Sequence, residues 1–236
     1  MTHTESRYAI YIAPPPESDL HAFGASWTGR DAYTNKPVEE LRLQGFSEAE
    51  IKNATAFPRH YGFHGTLKAP FRLADGYTKD HLIEGTRSFA GRRAPFFIPP
   101  LTLAPIRDFV ALQPATICLE LNRLAEACVR ELDVFRAQPP EEEIERRKAA
   151  GLTRRQTEYL KKWGYPYVME DFQFHITLTG SLEDPQERER FMLALAILVR
   201  PFTRHPQPVD ALALFHQENL SSPFRIIESF PFGRLL

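Results

Sequence analysis

Apolar residues alternate with others through RYAIYIAP (7–14), which reads as a strand closed by Pro14–Pro16. The spacing then lengthens to a helical period in ESDLHAFGASWTG and in SEAEIKNAT, where Ser47 is a cap with Glu50 three residues on. A strand pattern returns over residues 61–69, within YGFHGTLKAPF, and ends at the turn ADGY. Residues 78–93 read as a helix, FFIPPLTLA, RDFVALQPA and TICLEL as strands, and NRLAEACVRELDVFRA as an amphipathic helix. The stretch 138–166 is the most polar of the chain and reads as a solvated connector or a lid. FQFHITLTG (172–180) gives another strand, residues 184–202 a helix, and VDALALFHQ and FRIIESF two last strands.

After His64 the order is strand, turn, helix, strand, strand, and after His175 it is the same. Such a repeat predicts an α+β protein, a single bilobal domain over residues 1–236. Its pseudo-symmetric lobes are built around 61–115 and 172–236, each an antiparallel sheet with flanking helices, and a cleft lies between them.

The two strands that head the repeats share an unusual pattern. Residues two apart on a strand point the same way. Tyr61, Phe63, Gly65 and Leu67 therefore fall on one face, and His64, Thr66 and Lys68 on the other. In the second strand Phe174 and Ile176 oppose His175 and Thr177. An imidazole or hydroxyl buried without a partner costs roughly 1–3 kcal/mol, so packing alone does not explain two such faces. A lone histidine of this kind is more often a satisfied core residue; a matched pair points to a site.

Displacement at phosphorus suits these residue types. One imidazole takes a proton from the attacking hydroxyl or water while the other, protonated, supports the leaving oxygen. An unperturbed pKa of ~6.5 gives histidine access to both forms near neutrality. Each threonine can donate to a non-bridging phosphate oxygen, and Lys68 can add positive charge. The scheme calls for no metal and no cofactor. A zinc site is the rival reading, since His60 and His64 are four apart. With two glycines and strand-like alternation, RHYGFHGTL is a poor helix; on a strand the pair would lie ~13 Å apart.

Composition narrows the partner. Of 236 residues 43% are hydrophobic and 25% charged, ordinary for a globular chain, and the formal charge of −1 gives no basic field for long nucleic acid. No apolar run approaches the ~20 residues that span a bilayer, and the opening MTHTESRYAIYIAPPP lacks the features of a signal peptide. Cys118 and Cys128 have no metal-type spacing and read as buried hydrophobes of a reducing, cytoplasmic compartment. A small phosphorylated or cyclic-phosphate substrate remains.

The paired H-x-T motifs resemble those of the two-histidine (2H) phosphoesterases, a family defined by one H-x-[ST]-x motif per lobe of a pseudo-symmetric α+β fold. PRHYGFHGTLKAPF and WGYPYVMEDFQFHITLTG are most similar to a branch of phosphonate-metabolism proteins encoded with carbon–phosphorus lyase. The resemblance implies that His64 and His175 are catalytic, that Thr66 and Thr177 bind phosphate, and that a cyclic phosphodiester is cleaved. A ribose cyclic phosphate is the natural candidate. An RNA 2′,3′-cyclic phosphodiesterase or RNA-end ligase-like activity, and a binding protein without turnover, stand as alternatives. Arg59 and Tyr61 before the first motif, and Tyr165 and Tyr167 before the second, are candidates to hold the sugar or a second phosphate. Strict alternation puts Tyr61 on the oily face. The basic run with Arg154, Arg155, Lys161 and Lys162 reads as a solvated helix face.

Overall fold

Strand β1 (Arg7–Ile12) is buried along most of its length because both of its faces are apolar. Tyr8, Ile10 and Ile12 enter the main core, while Ala9 and Tyr11 join Phe215, Phe224 and Ile226 in a smaller cluster. A strand covered on both faces belongs inside a sheet, and β1 lies there. On one side it pairs with β8 (Ala211–Gln217), beyond which β9 (Arg225–Pro231) closes the edge. On the other it pairs with β2 (Gly65–Phe71), followed by β6 (Ile176–Thr177), β5 (Phe109–Pro114) and β4 (Leu101–Ile106). Every pairing of this seven-stranded sheet is antiparallel, and strands of the two halves interleave in it: β6 of the second half sits between β5 and β2 of the first, and β1 pairs with β8. Short strands β3 (Phe96–Ile98) and β7 (Gln207–Val209) pair separately. The computed structural model describes residues 6–149 and 151–233; the opening residues 1–5, residue 150 of the connector and residues 234–236 of the second half lie outside them.

Helices supply the α part of the α+β fold. Helices α1 (Asp19–Thr28) and α2 (Glu48–Tyr61) pack together, and Ser47 with Glu50 forms the expected capping box of α2. Helix α3 (Lys79–Gly91) lies on β8 and β9, α4 (Leu119–Glu131) on β2, and α7 (Pro185–Leu198) on β4 and β5. The polar stretch 138–166 forms α5 (Glu141–Lys148) and α6 (Arg154–Trp163). No helix among the described residues is long and apolar enough to cross a membrane.

Three elements depart from the reading of the pattern. TICLEL is no strand: its last residues open α4, whose Leu121, Leu124, Ala125, Cys128 and Val129 are buried at helical spacing. That stripe outweighs the β-branched Thr116 and Ile117, which lie outside the helix. Helix α2 runs past Pro58 to Tyr61, so His60 is helical and stands in the last turn. Pro58 has no N–H for the carbonyl of Ala54, four residues back. That carbonyl accepts instead from the Gly180 N–H, at 2.6 Å. The second motif strand shrinks to Ile176–Thr177, and Thr179 beyond it is buried with its hydroxyl oxygen accepting from Val110 N–H at 3.0 Å.

Candidate active site

Gly62 ends α2 with φ 81°, a left-handed conformation that favours glycine, and a Cβ there would lie 2.9 Å from that of Ala32. The chain reverses, Phe63 drops onto α1 against Gly24, and His64 enters the head of β2. His64 Nδ1 lies 2.8 Å from the carbonyl oxygen of Gly62. A carbonyl only accepts, so Nδ1 carries the proton and Nε2 keeps its lone pair. The Thr66 hydroxyl, 3.2 Å away, donates to that Nε2.

The second motif repeats the device. His175 Nδ1 donates to the carbonyl of Gln173, again two residues back and again at 2.8 Å, which leaves its Nε2 unprotonated. Gln173 donates to Gln113 Oε1 at 3.0 Å. Two contacts from the first half hold this strand: the buried Trp27 Nε1–H donates to the Leu178 carbonyl at 2.7 Å, and Gly180 is held by Ala54.

Antiparallel pairing of Gly65 with Ile176 brings the motifs together. Carried one residue each way, that register sets His64 across from Thr177 and Thr66 across from His175, all on one face. The two histidines are then diagonal neighbours, about 7–8 Å apart, with room for one phosphate group between them. On the opposite face, Gly65 is covered by Phe174, whose ring atoms come within 2.1 Å of where a Cβ would be built. The glycine inside H-x-T is therefore a packing requirement.

Electrostatics separates two similar histidines. His64 stacks on Tyr11 with centroids 3.6 Å apart and planes 12° from parallel, and Phe215 tilts against it at 5.5 Å. Burial pushes its pKa down to about 3, against the bond to Gly62, and the neighbouring His175 lowers it further. His175 is also lowered by burial, against its bond to Gln173, and meets Phe109 at 5.5 Å. Both imidazoles are thus neutral at pH 7 in the empty site.

A cavity of about 200 Å³ opens beside His175, lined among others by Thr66, Tyr165, Tyr167, Arg107 and Phe109, while His64 is not among its lining residues. Thr177 stands beside it on the adjoining β6. Tyr165 and Tyr167 thus reach the site as the sequence predicts, their rings edge-to-face at 5.6 Å. Tyr61 stacks on Phe224 at 5.2 Å, part of the smaller core cluster, as its place on the oily face implied.

Arg59 and Lys68 face elsewhere. Arg59 donates to the Thr28 carbonyl at 2.6 Å and pairs with Glu40 at 2.8 Å, bracing the end of α1. Lys68 is buried, donating to Asp133 at 2.9 Å and to the Val129 carbonyl at 3.2 Å. The cause is a register shift: Tyr11 pairs with Thr66 but Ile10 with Lys68, so strict alternation fails and Lys68 turns toward α4. Burial lowers the Lys68 pKa, while Asp133 opposes that shift. Arg136 also grips Asp133 and donates to the Lys162 carbonyl at 2.9 Å, tying the end of α6 to this buried group. The chain Lys68–Asp133–Arg136–Lys162 thereby anchors the segment that carries Tyr165.

The solvated reading suits the basic run: Arg154 pairs with Glu158 and Arg155 makes two bonds to Asp171. His60 accepts from Gln217, and among the described residues no group of three or more His, Cys, Asp or Glu could hold a metal ion. Tyr11, Arg107 and Phe109 had not been singled out. Arg107 had a signal, since Arg107–Asp108 is the two-residue link of the β4–β5 hairpin. Tyr11 had none, because stacking between residues so distant in sequence is a tertiary contact.

Two curated relatives carry the name ribose 1,5-bisphosphate phosphokinase PhnN. One, from Janthinobacterium sp. (strain Marseille), is 35% identical over 231 residues, covering 97% of this chain and 51% of the relative. The other, from Laribacter hongkongensis (strain HLHK9), is 37% identical over 222 residues, covering 93% and 50%. The chain spans about half the length of these relatives. Among solved structures, E. coli LigT in apo form aligns over 98% of this chain and 99% of its own, at 12% identity and a TM-score of 0.48. Residues 66–225, well over half of the chain, match the family described as "Protein of unknown function (DUF1045)", and the chain belongs to that family.

Proposed function

We propose that this protein is a phosphodiesterase of the 2H kind that hydrolyses a small cyclic phosphate without a metal. The observation that carries the reading is the matched pair of histidines on adjoining strands, each fixed through Nδ1 to the carbonyl two residues back. Both keep a basic Nε2 on one face of the sheet, with a threonine across the ladder from each. One Nε2 takes a proton from water as its oxygen attacks phosphorus. The bond from phosphorus to one ring oxygen breaks, and the other histidine, protonated, delivers its proton to that oxygen. Water is added across the bond, and the proton count balances. Binding of the anionic substrate supplies the charge that raises the second imidazole from its depressed empty-site value, so it takes a proton from solvent before the attack, and the proton taken from water returns to solvent afterwards. The threonine hydroxyls hold the non-bridging oxygens.

A ribose cyclic phosphate is the substrate we favour. The relatives' name concerns ribose 1,5-bisphosphate, and hydrolysing a 1,2-cyclic phosphate on a 5-phosphorylated ribose at its 2-oxygen yields that compound. A cavity of about 200 Å³ is below the ~300 Å³ at which drug-sized ligand sites begin, which suits a sugar phosphate better than an oligonucleotide. The test is hydrolysis of ribose 1,2-cyclic and nucleoside 2′,3′-cyclic phosphates with EDTA present, using wild type, His64→Ala and His175→Ala. Turnover by wild type with loss in both variants is expected. Activity surviving either substitution sinks the paired mechanism, and activity abolished by EDTA sinks its metal independence.

A further inference from the structure

Arg107 is the one cation lining the cavity among the described residues. It stands at the tip of the β4–β5 hairpin with φ 54°, a left-handed backbone conformation uncommon outside glycine. Such a conformation costs on the order of 1–3 kcal/mol and persists where surrounding contacts impose it. Here the guanidinium donates to the Tyr167 hydroxyl at 3.0 Å and lies 4.9 Å from the centre of the Tyr167 ring. That one side-chain bond uses one of its five N–H donors.

The acids nearby form no ion pair with it among the described residues. Asp171 lines the same cavity but is held by both oxygens on Arg155, and Asp108 accepts from Ser181. Arg107 is thus left unpaired by either carboxylate. Phe109 separates it from the reacting centre: two residues along the chain from Arg107, that ring packs on His175. Arg107 lies in the hairpin link that precedes β5, so it approaches the cavity from the hairpin tip, to the side of a phosphate gripped between the histidines.

We propose that Arg107, steadied by Tyr167, is a second anion subsite that holds a non-reacting phosphate of the substrate. This rests on the phosphodiesterase reading and deepens it: the substrate carries two phosphates, one cyclic and cleaved, the other terminal on the same sugar. Tyr165 lines the same cavity.

The test compares ribose 1,2-cyclic phosphate with and without a 5-phosphate, on wild type, Arg107→Ala, Arg107→Lys and Tyr167→Phe. For the 5-phosphorylated substrate, Arg107→Ala is expected to raise KM about 10–100-fold with kcat little changed, as for a lost charged hydrogen bond. Arg107→Lys recovers part of that loss, Tyr167→Phe raises KM a few-fold, and the unphosphorylated substrate is unaffected by either Arg107 substitution. Equal losses on both substrates would place Arg107 at the reacting phosphate and overturn the proposal, as would no effect on either. Calorimetry with ribose 5-phosphate separates this from the parent reading. Binding that weakens in Arg107→Ala but persists in the His64→Ala/His175→Ala double variant supports the subsite even if no cyclic phosphate is hydrolysed. Binding indifferent to Arg107 overturns it.

Discussion

The two H-x-T motifs are alike as sequence and unlike as structure. The first heads a seven-residue strand, and its histidine lies against Tyr11 and Phe215. The second belongs to a strand of two residues, and its histidine faces the cavity beside Phe109. What they share is local: the bond from Nδ1 to the carbonyl two residues back, which fixes the tautomer. What differs is tertiary, and it sets how reluctantly each imidazole takes a proton. The repeated motif has the same short-range geometry in two different environments.

Removing either imbalance or either histidine tests that comparison. The largest effect is expected from His64→Ala and His175→Ala, each lowering kcat/KM for a cyclic phosphate about 10³-fold, with the double variant little worse than either. A double variant far below both singles would mean that the two do not act in one step.

Stability should be less symmetric. Asp133→Asn leaves Lys68 buried without its counter-charge and is expected to cost about 3 kcal/mol in urea unfolding, the low end for a broken buried pair because Asp133 is partly exposed. The second motif has no counterpart to this pair. At the centre of each motif, Gly65→Ala drives a methyl into Phe174 and should cost about 1–3 kcal/mol, whereas Ile176→Val removes a methylene for about 1 kcal/mol. Equal costs would mean that Phe174 moves aside freely.

A pH effect follows from the same difference. An unfolded imidazole is half protonated near pH 6.5, whereas His64 in the fold resists protonation down to about 3. The unfolded chain then binds more protons in that window, so His64 contributes its full stability above pH 6.5. That contribution falls with acidification toward pH 3, by at most about 1.4 kcal/mol per unit. His64→Ala should show a shallower decline in urea midpoint between pH 7 and 5 than wild type. Tyr11→Leu opens the ring to water, and its His64 should titrate at higher pH by NMR while His175 stays where it is. A shift of both by the same amount would dissolve the distinction between them.

Much of this site was legible because its chemistry is written in short range. Alternation placed the histidines and threonines together, repetition separated them from ordinary core residues, and Tyr165 and Tyr167 lay close enough before the second motif to be noticed. Lys68 was misplaced because a register shift is a property of two strands, and the sequence of one strand carries no mark of it. Helix α2 ran on through Pro58 because Gly180, far along the chain, occupies the carbonyl that proline leaves free. TICLEL failed for the opposite reason: a helical stripe beginning inside it outweighed its own β-branched residues. The fold class needed only the order of elements, which tolerates such errors.

The joint at Gly65 and Ile176 bears on more than geometry. The ladder of the large sheet is thinnest where the proposed chemistry takes place, since β6 contributes only two residues to it. A phosphate held by both motifs would act as a non-covalent staple across that seam. Its binding energy would then suppress local opening there by RT ln(1 + [L]/Kd), and amide exchange near residues 64–66 and 175–178 would slow ahead of any change in the outer strands β4 and β9.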